Sequence, residues 1–94
     1  MNLGDDEQPP MTVRREISAD IAAARGVQTE ILTVAEQHGL SARKLFEARL
    51  KIEETLVNAI KREIRSDRPA KLYVEADVTA AGVRITVRNG DNPN

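Results

Sequence analysis

The 94-residue chain contains no cysteine and a single histidine, His38. Without cysteine it can form neither a disulfide nor a thiolate-ligated zinc or iron–sulfur site, and one imidazole is too few for a histidine-rich metal site. Aromatic residues are almost as rare, because Phe46 and Tyr73 are the only two. Alanine, valine, isoleucine and leucine must therefore supply nearly all of the apolar core, which is thin in a domain of this length.

The sequence also lacks a long hydrophobic run, and its N-terminus is acidic rather than basic. These two features predict a cytoplasmic protein with no membrane partner. Fourteen basic and fifteen acidic residues give a formal net charge of −1. The locally basic stretch at 61–71 is interrupted by Glu63 and Asp67 and contains no aromatic residue, so we expect a solvated helix end and no nucleic-acid partner.

The composition divides the chain into one domain and two short tails. Residues 1–10 are polar and acidic and end in Pro-Pro, which is typical of a disordered leader. Residues 91–94 follow a strong turn signal, Asn89-Gly90, and form the second tail. The length fits a single domain, which we expect at 11–90.

A short first strand precedes the first of two predicted helices. Three β-branched residues within 11–17 predict the strand, and Ser18 or Asp20 can accept the hydrogen bond of a helix N-cap. Apolar residues then recur at three- and four-residue steps, the period of one helical face. His38 lies in the last turn of this helix, and Gly39 is the left-handed residue that ends it.

The second helix is expected to begin at the cap Ser41 and to reach about Arg65. Its apolar residues form a broad stripe, and the pattern predicts that both Phe46 and Leu50 belong to it. One residue of linker makes the two helices a tight hairpin that packs on one face of a sheet.

Alternating apolar and polar residues predict two further strands, at 71–78 and 83–88, joined by a turn at 79–82. This alternation places Tyr73 on the exposed face of the sheet. The predicted fold is therefore an α/β domain, an α+β two-layer sandwich. Its order is β-α-α-β-β, with the helical hairpin packed on an antiparallel sheet.

The second helix carries the one constellation that suggests chemistry. Glu54 and Asn58 are four residues apart and lie on one helical face, with Lys61 at the next turn. A carboxamide oxygen is a hard ligand suited to Mg²⁺, and a carboxylate can accept a proton from water or a hydroxyl. The same spacing is also typical of ordinary surface pairs such as Glu47 and Lys51, so spacing alone favours no function.

The segment LFEARLKIEETLVNAIK at 45–61 resembles the N-box helix of the histidine-kinase-like ATPases. It is closest to the branch of bacterial ATP-binding anti-sigma factors that are also serine kinases, whose helix reads L-x-x-E-E-x-x-x-N-A-I-K-H. The strand-to-helix start at 15–20, the hairpin at 37–41 and the strands at 71–88 resemble the same family. The resemblance covers roughly 11–89.

This resemblance implies roles for five positions and Mg–ATP as the cofactor. Asn58 matches the Mg²⁺-coordinating asparagine, and Glu54 matches the acidic residue that activates water or a serine of a partner. Lys61 matches a basic position near the nucleotide, whereas Arg62 replaces the histidine usual in the family. Asn89 occupies the position of the aspartate that binds adenine.

The adenine box departs from the family pattern D-x-G-x-G. A neutral acceptor at Asn89 replaces a charge-assisted hydrogen bond of about 1.5–3 kcal/mol with one of about 0.5–1.5 kcal/mol. Asp91 and Pro93 replace glycines, which restricts the backbone and removes an amide donor. The sequence contains no counterpart of the family's ATP lid, so we expect a truncated domain with weakened or lost nucleotide binding.

Three functional classes follow from these features. The first is an ATP-binding regulatory domain of the anti-sigma type, which if active is an ATP-dependent protein serine kinase. Its expected partner is a sigma factor or an anti-sigma antagonist, with a homodimer as a further expectation. The second is a nucleotide-free interaction module that docks a transcription regulator through its helical hairpin. The third is a truncated relic that folds without a present task.

Overall fold

Two helices and three strands make up the described part of the chain, residues 9–64 and 71–89 of a computed structural model. Their order confirms the predicted β-α-α-β-β arrangement. The elements are β1 (Met11–Ser18), α1 (Ile21–Gln37), α2 (Ala42–Ile64), β2 (Lys71–Thr79) and β3 (Gly82–Asn89). Residues 65–70, Gly90, the predicted tail at 91–94 and all but the last two residues of the predicted leader lie outside the described residues.

The three strands form one antiparallel sheet in the order β1-β2-β3. Val13 of β1 lies opposite Ala76 of β2, and Val74 of β2 lies opposite Val87 of β3. Both helices cover the same face, with α1 packed against β1 and β2 and α2 packed against β3. The domain is thus the expected two-layer α+β arrangement, with β3 at a sheet edge beneath α2.

Capping residues place the helix ends. Asp20 rather than Ser18 is the N-cap of α1, because its Oδ1 accepts a hydrogen bond of 2.8 Å from the backbone N–H of Ala23. Gly39 ends the helix with a φ of 93°, in the left-handed region. Ser41 caps α2 as predicted, since its Oγ accepts from the N–H of Lys44 at 3.2 Å.

The core lies between the helices and the sheet and is built from small and aliphatic side chains, with Glu63 near the end of α2 the one buried charged residue among those described. Its largest fully buried members are Ile31, Ile52, Leu56, Leu72, Val74 and Val78. The prediction that Phe46 and Leu50 join this core was wrong, because they are 60% and 53% exposed. The buried stripe of α2 is centred on Ile52 and Leu56, and the helical period turns Phe46 and Leu50 away from the sheet.

An ion pair explains the poor alternation in β1. Arg15 has the strand parity of Val13 and Ile17 and thus lies on the helix-covered side of the sheet edge. Its guanidinium donates from Nε to Glu30 of α1 at 3.0 Å, and a second nitrogen also contacts this carboxylate. The pair joins the first strand to the first helix, a contact that the strand pattern alone did not predict.

Within 9–64 and 71–89, neither helix combines the length and the apolar composition needed to cross a bilayer.

Candidate functional site

Glu54 and Asn58 lie one turn apart in the second half of α2, and both side chains are exposed. The sheet-facing side of this helix is formed by Ile52, Leu56 and Ala59, which are buried. The two polar side chains therefore project away from the core, as their positions in the helical period require. They are accessible to a ligand from solvent.

A contact near the start of α2 shows which flank of the helix faces the edge of the sheet. Lys44 Nζ donates to the carbonyls of Ala80 and Ala81 in the β2–β3 turn, at 3.4 and 3.3 Å. Arg62 follows Lys44 by eighteen residues, which is five turns at about 3.6 residues per turn. Arg62 and, one turn earlier, Asn58 thus share the flank of α2 that lies along β3.

Asn89 lies at the far end of β3 from that turn. It has the strand parity of Val87, which packs against the core, so it occupies the helix-covered face, where it is half-buried. The eight residues of β3 span about 26 Å at about 3.3 Å per residue. A helix rises 1.5 Å per residue, so about 17 residues of α2 cover the same 26 Å. Counted from Lys44, this length of helix ends near Lys61. Asn58 and Asn89 therefore lie at the same end of the α2–β3 pair.

This end of the molecule combines uncharged oxygen ligands with charges of both signs, because the buried Glu63 lies in the same turn as Lys61 and Arg62. Asn58 and Asn89 offer carboxamide oxygens, and Lys61 and Arg62 lie in the last turn of α2. Glu54 adds one carboxylate a turn further back. In the described ranges no cluster of three or more histidine or acidic side chains could hold a metal ion. A Mg²⁺ ion at Asn58 would therefore take most of its oxygen ligands from phosphate and water.

Two concave surfaces are present elsewhere on the described residues, and neither includes Glu54 or Asn58. The larger, of about 860 Å³, is a groove between α1 and α2 on the flank of α2 opposite to Asn58, and Phe46 lies in its wall. This groove was not predicted from the sequence. Its signal was available, because Phe46 lies well to one side of the line through Ile52 and Leu56 on the helix surface.

The smaller concave surface, of about 260 Å³, lies on the open face of the sheet around Tyr73. Tyr73 is exposed, as the strand alternation predicted. Side chains of β1 and β2 pair across this polar face: Thr12 with Asp77 at 2.8 Å, Arg14 with Glu75 at 3.5 Å, and Lys71 with Glu16 at 3.0 Å. Exposed ion pairs of this kind contribute little stability each, so the face is ordered chiefly by strand pairing.

The contact between Lys71 and Glu16 has a measurable consequence for proton binding. The hydrogen bond to Glu16, followed by the charge of its carboxylate, raises the pKa of Lys71 above the ordinary lysine value. A raised pKa stabilises the folded state fully below the unfolded-state pKa of lysine, and this contribution is lost as the pH rises through the folded-state pKa.

We expect an NMR titration to give a higher midpoint for Lys71 in the wild type than in Glu16→Gln. Glu75→Gln is the matched control, because it removes a carboxylate from the same sheet face without touching Lys71. Equal midpoints in the wild type and Glu16→Gln would contradict the assignment.

Compared with known proteins, the chain matches no family model, no curated protein sequence and no solved structure. The resemblance to the histidine-kinase-like ATPases therefore stays a prediction. What the fold adds is the placement of Asn58, Arg62 and Asn89 at one end of the α2–β3 pair, with Glu54 nearby on the outer surface of α2.

Proposed function

We propose that this chain is an ATP-binding regulatory domain of the anti-sigma type, in which α2 and the end of β3 hold Mg–ATP. The proposal rests on the levels of Asn58 and Asn89, which come within about one helical turn of each other when the rise of α2 and of β3 is counted from the contact of Lys44 with the β2–β3 turn. They are 31 positions apart in the sequence, yet they lie at the same end of one helix–strand pair. Both positions also belong to the resemblance, which predicts that they face the same nucleotide.

Each residue of this site has chemistry suited to one part of the ligand. The Asn58 amide oxygen coordinates Mg²⁺, and Lys61 and Arg62 offset phosphate charge. Asn89 accepts a hydrogen bond from the adenine amino group through its neutral oxygen.

A transfer step requires one further residue, which is Glu54. Its carboxylate would take the proton from a serine hydroxyl of a partner protein, and Mg–ATP, when bound, would supply the γ-phosphoryl group that the serine oxygen accepts, with ADP as the leaving group. The partner carrying that serine is a sigma factor or an anti-sigma antagonist.

The exposure of these side chains sets the expected strength of binding. Ligand sites that bind tightly bury most of the ligand surface, whereas Glu54, Asn58, Lys61 and Arg62 are all exposed. The adenine contact at Asn89 is also neutral rather than charge-assisted. Weak, millimolar binding of Mg–ATP is therefore part of the proposal, and it suits a regulatory role better than rapid turnover.

Titration of the full chain with Mg–ATP, followed by amide NMR shifts, tests the proposal. We expect saturable shifts that cluster at 54–62 and at Asn89. Asn58→Ala should weaken binding by about tenfold, the equivalent of about 1.4 kcal/mol. Gln37→Ala is the matched control, since it removes an exposed uncharged amide from the end of α1, away from the site.

Omitting Mg²⁺ provides the second arm of this experiment. ATP alone should bind more weakly to the wild type, and Asn58→Ala should respond less to Mg²⁺ than the wild type does. Shifts that scatter over the surface, or equal affinities for the wild type and Asn58→Ala, would overturn the assignment of the site.

The exposed apolar side chains favour a second candidate, a nucleotide-free interaction module. Phe46 and Leu50 lie on the outer surface of the helical hairpin, where a soluble monomer gains nothing from them. This candidate predicts no response to millimolar Mg–ATP together with saturable binding of a transcription regulator. The titration therefore separates the two functions.

A further inference from the structure

The two edges of the sheet differ in how open they are to another strand. β1 forms one edge, and two features block it. Pro10, which comes directly before this strand, has no backbone N–H to donate. Arg15 places a charge on the helix-covered side of the same edge, where it pairs with Glu30. An inward-pointing charge is one of the devices by which natural sheets keep an edge from pairing with another chain.

β3 forms the other edge of the described sheet and has neither feature. It pairs with β2 over all eight of its residues without a bulge, and it contains no proline. Its helix-covered side presents three apolar side chains, Val83, Ile85 and Val87, and each of them is only half-buried. Alternate residues of an edge strand also leave their backbone N–H and C=O groups without a strand partner. This edge is therefore suited to accept a further strand.

The side chains on the open face of β3 indicate the charge of such a strand. Arg84 and Arg88 are exposed on this face with Thr86 between them, and neither takes part in an ion pair between described residues. β3 contains no acidic residue. The β3 strand of a second copy would thus bring only further positive charge to this edge. A strand with carboxylates opposite the two arginines would neutralise both of them.

We propose that β3 binds an extended segment of another protein by strand addition. The segment carries acidic residues opposite Arg84 and Arg88, apolar residues opposite Ile85 and Val87, and a polar residue opposite Thr86. This pattern, acidic–apolar–polar–apolar–acidic, reads the same in both directions, so it does not depend on the direction of the added strand. Backbone hydrogen bonds supply the affinity, and the alternate side chains supply the specificity.

A peptide with blocked termini and the sequence Thr-Glu-Val-Thr-Val-Glu-Thr tests the proposal when it is titrated into the full chain. We expect saturable amide NMR shifts along 82–89. Hydrogen exchange in β3 should slow at every second residue, because only alternate N–H groups of an edge strand face the added strand. The matched control peptide, Thr-Lys-Val-Thr-Val-Lys-Thr, keeps the apolar residues and reverses the charge. It should bind at least about tenfold more weakly.

The peptide titration contains no nucleotide, and this separates the inference from the proposed function. Binding of the acidic peptide does not require the Mg–ATP site, and binding of Mg–ATP does not require the peptide. Either proposal can therefore fail while the other stands.

Charge reversal in the chain provides the reciprocal test. The double variant Arg84→Glu/Arg88→Glu should prefer the basic peptide to the acidic one by about tenfold, the reverse of the wild type. Both positions are exposed, so the substitutions leave the core untouched. A reversed preference cannot result from unfolding, because an unfolded chain would lose both peptides.

A matched pair of lysine substitutions tests whether the edge itself must be open. Ile85→Lys places a charge on the helix-covered side of β3, as Arg15 does on β1, and should abolish binding of the acidic peptide. Thr86→Lys adds the same side chain one residue later, on the open face, and should leave this binding intact. Circular dichroism checks that both variants remain folded.

Any of four results would overturn the proposal. They are no saturable shift at millimolar acidic peptide, equal affinities of the wild type for the two peptides, an unchanged preference in the double variant, and equal effects of the two lysine substitutions. Binding that appears only in Asp5→Asn/Asp6→Asn/Glu7→Gln would also overturn it and assign the edge to the chain's own N-terminal segment. Self-association that shifts 82–89 without peptide would instead assign the edge to a second copy.

Discussion

Replacing Ile52 by alanine is expected to lower the free energy of unfolding by about 2–5 kcal/mol. Ile52 is fully buried in the middle of α2, where it faces the sheet. The loss combines the transfer free energy of the missing methyl and methylene groups with the cost of the cavity that they leave. The surrounding core is aliphatic, and the aromatic residue of the same helix, Phe46, is 60% exposed and lies in the wall of the α1–α2 groove. No neighbour in this thin core can therefore turn inward to fill the space.

Urea unfolding at one low protein concentration measures this effect, with Leu50→Ala as the matched control. Leu50 lies two residues earlier in the same helix and is 53% exposed, so its truncation should cost less than about 0.5 kcal/mol. A domain of this size has a total stability on the order of 5–14 kcal/mol. We therefore expect Ile52→Ala to lower the melting temperature by about 10–25 °C. Similar losses in the two variants would mean that α2 presents another side to the sheet.

Replacing either of two glycines by alanine, one inside α1 and one just after it, should change the stability of the fold in opposite directions. Gly39 has a φ of 93°, where a side chain is strained even though open space surrounds it. We expect Gly39→Ala to destabilise the fold by about 1–2 kcal/mol. Gly26 lies inside the helix with nothing within 4 Å of the Cβ that alanine would add. Gly26→Ala should stabilise the fold by about 0.5–1 kcal/mol.

The same unfolding experiment, performed on both variants, provides the internal comparison. The chemical change is identical in the two, so the difference in sign isolates the backbone conformation. A stabilising effect of Gly39→Ala would show that α1 does not end in a left-handed residue. A loss in Gly26→Ala would show instead that a partner approaches α1 closely at that position.

Most of the secondary structure was predictable because its signals are local. The alternation of β2 and β3 repeats every two residues, and each strand lies where that pattern placed it. The glycine after His38 ended α1 as expected. Asp20 and Ser18 were equally plausible caps, since both residue types can accept the hydrogen bond, and only the path of the backbone chose between them.

Part of the candidate site was likewise predictable from the sequence, and part of it depended on the tertiary structure. The four-residue spacing of Glu54 and Asn58 places them on one helical face, and this follows from the sequence alone. Their distance from Asn89 does not, because it depends on α2 running along β3 in the same direction. That arrangement is visible in the contact of Lys44 with the β2–β3 turn. The exposure of Phe46 was mispredicted because the predicted apolar stripe of α2 was too wide, although the angle of Phe46 from Ile52 and Leu56 around the helix was already set by the sequence.

The sequence by itself determined the order of the helices and strands, the cap Ser41, the glycine that ends α1, and which polar side chains of α2 share a helical face. These depend on dihedral preferences and on the periods of 3.6 and 2, which involve neighbours only. The tertiary structure alone decided that Arg15 meets Glu30, that Asn58 and Asn89 share one end, and that a charged groove opens beside Phe46. Those outcomes depend on how two layers pack, a balance among contacts between residues far apart in the chain.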